Sequence, residues 1–261
     1  MNRALWPAIS GLALAIAITT AMDATGYSMF SALPLLPLAA GFWLLQRFSR
    51  AEIGLVLGPA RFYGIALSYP VIVLGATALI ALLSAAVDTS NTDWNKTFAN
   101  VGLMSSTGVL MVLLTEEGFF RGWLWASLKR AGQSDRQVLI WSTLGFTIWH
   151  ISAISLDTGF DIPADEIPIY LINATLIGGV FGTIRLISGS VIAASLCHAV
   201  WNGLDYPFFG FGERVGALGI QETQIFGPEV GLLGIGLNLA FLAYLWSKYA
   251  TDVSEISTKI D

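Results

Sequence analysis

Eight stretches of about 17 or more residues, almost free of charge, recur along this 261-residue chain. They constrain the fold most, because a helix crossing a hydrocarbon core of about 30 Å needs roughly 20 apolar residues. They lie at approximately residues 5–22, 28–46, 64–87, 101–127, 137–156, 168–185, 188–204 and 228–247. A water-coated surface is ruled out by composition: 12% of the residues are charged, where a soluble domain carries roughly 25%. The stretches do not alternate apolar with polar residues, as strands of an outer-membrane barrel would. The expected fold class is therefore all-α, a polytopic membrane protein of about eight transmembrane helices with its site in the helix-bundle core. Pro34, Pro37 and Pro70 fall inside expected spans, where neighbouring helices satisfy the carbonyls a proline frees.

Loop charge orients the spans, since Lys and Arg gather in short cytoplasmic loops. With the N-terminus inside, Arg3, Arg47, Arg50, Arg61, Lys129, Arg130, Arg136, Arg185, Lys248 and Lys259 are cytoplasmic, which leaves only Lys96 and Arg214 outside. The outer loops carry the acids Asp88, Asp93, Asp157, Asp161, Asp165 and Glu166. The first apolar run has no small-residue cleavage site and is expected to stay as a span. Residues 1–249 are thus expected to form one transmembrane domain and 250–261 a disordered cytoplasmic tail. The expected setting is a prokaryotic cell (inner) membrane, with both termini cytoplasmic. Gly178 and Gly182 form a small-xxx-small pair that suits close helix packing. The net charge of -5 forms no basic patch for nucleic acid. The single cysteine, Cys197, excludes an internal disulfide and reads as an apolar filler.

The remaining basic residue, Arg121, lies inside the fourth span, next to Glu116 and Glu117. A charge at mid-bilayer costs about 2.5–3.5 kcal/mol on insertion scales, so three in one span require partners. Glu117 and Arg121 stand one helical turn apart and read as a structural ion pair. Glu116 points elsewhere, and the only two histidines are His150 in the fifth span and His198 in the seventh, with Asn202 one turn beyond. Thirteen residues separate Glu116 from Lys129 and Arg185 from His198, and fourteen separate Arg136 from His150. At 1.5 Å per residue all three groups lie about 20 Å from the cytoplasmic loops. Taken singly, each has a bland reading as a packing residue or interhelical hydrogen bond. Their shared depth favours one site.

A desolvated Glu beside a His accepts a proton from water and makes a nucleophile. A second imidazole with a carboxamide donates to the oxyanion of a tetrahedral intermediate. The same Glu116, His150 and His198 are compatible with Zn²⁺ bearing a water, so no cofactor is required and zinc stays open. No HExxH zinc signature and no serine nucleophile motif occur. The expected spans contain no Asp, which removes a two-aspartate mechanism. Competing readings are a scaffold or immunity protein without proteolysis, and a proton-coupled transporter using Glu116 and His150 as a relay.

Glu116-Glu117-x-x-x-Arg121, Phe146-x-x-x-His150 and His198-x-x-x-Asn202 resemble the three motifs of the CPBP intramembrane proteases, the CAAX prenyl endopeptidase and Abi-like family. The resemblance covers about residues 112–205 and includes the approach GTIRLISGSVIAASLCHAVWN to the third motif. It implies an eight-helix membrane fold whose site opens toward the cytoplasm or the inner membrane half. It implies Glu116 as the base that activates water, assisted by His150, with His198 and Asn202 on the oxyanion. Glu117, Arg121 and Phe146 would support them. The implied activity is intramembrane endopeptidase, acting on a membrane-associated protein or peptide; bacteriocin immunity or scaffolding is the alternative within the same family.

Overall fold

The computed structural model of the protein describes residues 3–212 and 214–257. Helices stand at all eight expected places. They are α1 (Trp6–Ala24), α2 (Leu35–Gln46), α3 (Arg61–Leu83), α4 (Trp94–Leu114) continued by α5 (Trp125–Arg130), α6 (Asp135–Trp149) continued by α7 (Ile151–Ser155), α8 (Ile167–Ser188), α9 (Val191–Phe209) and α11 (Leu232–Ser257). A short α10 (Thr223–Phe226) precedes the last. Among the described residues, six segments are long and apolar enough to cross a membrane: Trp6–Ala24, Ser28–Gln46, Arg61–Leu83, Trp94–Arg130, Asp135–Ser155 and Ile167–Ser188. The two others expected as spans fall short of that measure. His198, Asn202 and Asp205 make α9 more polar, and the apolar part of α11 is the shorter Leu232–Lys248. Large apolar side chains cover the outside, with Leu44 73% and Leu83 78% exposed, as suits a lipid solvent.

Three departures from the expected spans matter for the site. The fourth segment is not one continuous α-helix: Thr115 leaves helical geometry at φ −109°, ψ −96°, and a π-helix spans Gly118–Leu124. Helices α1 and α9 run further than expected and take in Asp23 and Asp205. Helix α11 continues to Ser257 where a disordered tail was expected, because no Gly or Pro interrupts the chain after Lys248. Elsewhere local signals set the ends: Ser134 and Gln137 form a reciprocal capping box at the start of α6, Gly189 at φ 69° ends α8 and Ser190 caps α9.

Two apolar clusters make the core. One gathers Phe119, Phe120, Trp123, Phe146 and Trp149 with residues of α1, α2 and α5. The other gathers Tyr69, Phe181, Trp201 and Phe241 from α3, α8, α9 and α11. Helix α4 lies along α9, and α8 lies between α6 and α11. Gly178 and Gly182 permit this approach, as a Cβ on Gly182 would stand 2.5 Å from Leu139 Cδ1. Within the second cluster the Tyr69 hydroxyl donates to Asn238 Oδ1 at 2.6 Å, and Asn238 Nδ2 donates to Asn173 Oδ1 at 3.1 Å. This buried chain of hydrogen bonds ties α3, α11 and α8 together.

Each end of the bundle is held by its own contacts. At the basic end Arg130 Nη2 meets Glu52 Oε1 at 2.6 Å and Val191 N donates to the Gly54 carbonyl at 2.9 Å. At the acidic end Asp88 N donates to the Leu218 carbonyl at 3.0 Å, Ser28 Oγ to Thr158 O at 3.1 Å and Thr223 Oγ1 to Glu166 Oε1 at 3.0 Å. A two-stranded antiparallel hairpin, β1 (Gly210–Phe211) with β2 (Arg214–Val215), extends α9 there.

Candidate active site

The site forms where the two apolar clusters meet. Glu117 and Arg121 are fully buried, with Arg121 Nη1 3.0 Å from Glu117 Oε1. Arg121 Nη2 donates to the Gly178 carbonyl at 2.8 Å, and its guanidinium lies 4.3 Å from the centroid of the Phe146 ring. An ion pair without water needs such additional donors and acceptors to offset its desolvation. The carboxylate has a second partner that sequence spacing did not show: His198 Nδ1 lies 3.0 Å from the same Glu117 Oε1. Phe181 stacks on the His198 ring at 4.6 Å, so the imidazole is fixed in position and in orientation.

His150 sits at the junction of α6 and α7, where the last carbonyls of α6 lack helical partners. Its Nδ1 takes one of them, the Phe146 carbonyl, at 2.8 Å. A carbonyl only accepts, so Nδ1 carries the proton there. The same argument at the Glu117 carboxylate puts a proton on His198 Nδ1. Both Nε2 atoms are left facing Glu116, whose Oε2 lies 3.7 Å from His150 Nε2 and 3.9 Å from His198 Nε2. These separations are too long for direct hydrogen bonds and suit one small bridging molecule. The π-helix supplies this arrangement. Its wide turns leave backbone carbonyls to be satisfied elsewhere, and Arg185 Nε donates to the Arg121 carbonyl at 3.0 Å.

Two cavities adjoin these groups. A cavity of about 30 Å³, the size of a water, is lined by His150, His198, Asn202, Tyr170, Tyr206 and Glu229 among others. A cavity of about 710 Å³ has Glu116, His150 and Tyr170 in its wall and reaches the exposed Met29, Phe160 and Arg214. Its mouth lies among the loops of the acidic end.

Residues 98–204 match the model of the family described as type II CAAX prenyl endopeptidase Rce1-like. These residues belong to the CAAX protease family. The matched region holds Glu116, Glu117, Arg121, Phe146, His150, His198 and Asn202, while α1, α2, α3 and α11 lie outside it. No curated protein and no solved structure matches the chain. The apolar helices make this a polytopic membrane protein, and its residues 98–204 carry the CAAX-protease core.

The residues singled out from sequence converge on this CAAX-type core. Glu116, His150 and His198 face one another, Asn202 lines the small cavity, Glu117 and Arg121 lie behind His198, and Phe146 packs at 4.4 Å on the His150 ring. Zinc held at about 2.0–2.2 Å by Glu116, His150 and His198 would draw the three donor atoms to about 3.3–3.5 Å from one another. The Glu116 separations exceed that, and among the described residues no group of three or more His, Cys, Asp or Glu is arranged to hold a metal ion. The residues as placed do not fit zinc, and no step below runs through it. Sequence reading missed Asp205 and Glu229 in the wall of the large cavity. Asp205 was legible, since it continues the His198 and Asn202 stripe by one turn of α9. Glu229 was not, because it lies in the loop before α11.

Proposed function

We propose that the chain is an intramembrane endopeptidase that hydrolyses a peptide bond of a membrane-associated protein or peptide. The observation that carries this reading is Glu116 Oε2 facing the Nε2 atoms of His150 and His198 at distances one water spans. Glu116 takes a proton from that water as the water attacks the scissile carbonyl, while His150 Nε2 accepts a hydrogen bond from the water and orients it. The amide carbonyl becomes a tetrahedral oxyanion. Asn202 donates to it from its carboxamide. His198, with Nδ1–H committed to Glu117, donates from Nε2 in its doubly protonated form. Glu117 and Arg121 act through His198 as positioning residues. Collapse of the intermediate breaks the C–N bond, and the leaving amine takes the proton that Glu116 had accepted.

With the basic loops in the cytoplasm, both termini are cytoplasmic and the large cavity opens on the opposite face. The cavity mouth lies among Phe160, Arg214 and the acidic loops, so on this orientation it faces away from the opening toward the cytoplasm or the inner membrane half that the family resemblance implied. The test of the hydrolytic reading compares membrane peptides from cells carrying wild type and Glu116→Gln. Uncleaved substrates accumulate in the variant if the reading holds. Identical peptide profiles, with folding and cellular phenotype intact, would favour a scaffold role.

A further inference from the structure

The wall of the large cavity carries a second pair of carboxyl groups for which hydrolysis at Glu116 has no use. Asp205 is 2% exposed and stands on the α9 stripe that bears His198 and Asn202. Glu229 approaches from the loop before α11, where its Oε1 accepts a hydrogen bond from Trp201 Nε1 at 2.8 Å. Both carboxyls line the large cavity, where a donor could reach them. Asp205 Oδ1 nevertheless accepts no hydrogen bond in the structure. A buried carboxylate oxygen without a donor is costly, and native proteins rarely tolerate one without a purpose. Asp23 repeats the pattern on the same cavity: Ser152 Oγ donates to its Oδ2 at 2.6 Å, while its Oδ1 has no partner.

Charge around the cavity points the same way. Asp23, Glu116, Glu166, Asp205 and Glu229 line it, and among the described residues Arg214 is the only lysine or arginine that does. Arg214 is exposed at the mouth, 5.0 Å from the centroid of the Phe211 ring. Two carboxyls alone make a poor metal site, and no third acidic, His or Cys ligand joins them in one. An organic cation fits better, since it brings several N–H donors and needs no closed coordination shell.

We propose that Asp205 and Glu229 form a subsite that accepts the basic side chain, Lys or Arg, of a polypeptide lying in the cavity beside Glu116. The subsite selects membrane-associated segments with a positive residue near the bond to be cut. The inference rests on the hydrolytic reading only in taking the cavity as the place where polypeptide binds.

The test uses the full chain carrying Glu116→Gln, purified in detergent micelles. The probes are three fluorescent leucine-rich peptides with blocked ends, identical except for a central Lys, norleucine or Glu. The Lys peptide is expected to bind at least about tenfold more tightly than the norleucine peptide, with the Glu peptide weakest. Adding Asp205→Asn or Glu229→Gln should bring Lys and norleucine to within about twofold. Equal affinity for those two peptides, no binding of the Lys peptide, or a preference surviving in both added variants with unchanged Tm would overturn the proposal. Binding read without turnover separates the two claims. A Lys preference in a protein that never cleaves would leave the subsite standing and remove the hydrolase, and cleavage indifferent to charge would do the reverse.

Discussion

Glu117 is the residue on which the polar core turns, because one of its oxygens serves both Arg121 and His198 at 3.0 Å. Removing its cation leaves a carboxylate buried at 0% exposure. Arg121→Met, which keeps most of the side-chain volume, should therefore lower stability by about 3–5 kcal/mol in detergent unfolding. A loss below about 1 kcal/mol would show that the pair is not held as described. The sequence showed the Glu117–Arg121 pair because helical spacing alone brings it together. It did not show the His198 contact, which depends on how α9 packs against the π-helix. At the protein's basic end Glu52 accepts from Ser49 N at 2.7 Å and from Arg130 at 2.6 Å. The Ser49 backbone bond, then Arg130, hold its pKa at about 2, below the usual 4.5. A lowered folded-state pKa means this contribution is fully present above about pH 4.5 and is lost as pH falls toward 2. Glu52→Gln should flatten that acid limb in a pH series of Tm values; an unchanged limb would assign the acid sensitivity to other groups.

Among the elements, the break after α4 does most to shape the site. The apolar run over 101–127 gave a span but no sign of where its α-helix stops, because no proline interrupts the run. The π-helix becomes favourable only once Arg185 and the Gly178 face of α8 are in place to take up Arg121 and its carbonyl. The glycine pair was legible for the same reason the π-helix was not, since a small-residue spacing is a local pattern. Gly182→Val should cost about 1–3 kcal/mol through overpacking on Leu139, which a Cβ would meet at 2.5 Å. Adding Leu139→Ala should recover part of that loss in the same unfolding assay. No recovery would place the strain elsewhere. Span ends were the least legible feature: α9 extends to Phe209 and carries Asp205 into the cavity wall, where hydropathy alone ended the helix near residue 204.

For the whole molecule, the separation of charge between the two ends predicts, by the positive-inside rule, which face of the membrane the cavity serves. Cys197 is buried and is expected to escape thiol reagents, so single introduced cysteines should report topology. Asn91→Cys lies exposed at the acidic end and Ala51→Cys at the basic end. A membrane-impermeant maleimide added to intact cells should label the first and spare the second. Labelling of Ala51→Cys alone would reverse the orientation and turn the cavity toward the cytoplasm. The eight helical places were legible from the apolar runs, and the three motifs named residues, Glu116, His150 and His198, that the fold brings face to face. What sequence could not supply was the direction of opening, because that depends on which loops part to leave the cavity.

The central claim is that Glu116 activates the attacking water between two imidazoles, and the most direct measurement is the cleavage rate of purified Glu116→Gln on a substrate recovered from membranes. The variant, folded with wild-type Tm, is expected to cleave about 10²- to 10⁴-fold more slowly. Equal rates for the variant and the wild type would contradict the account.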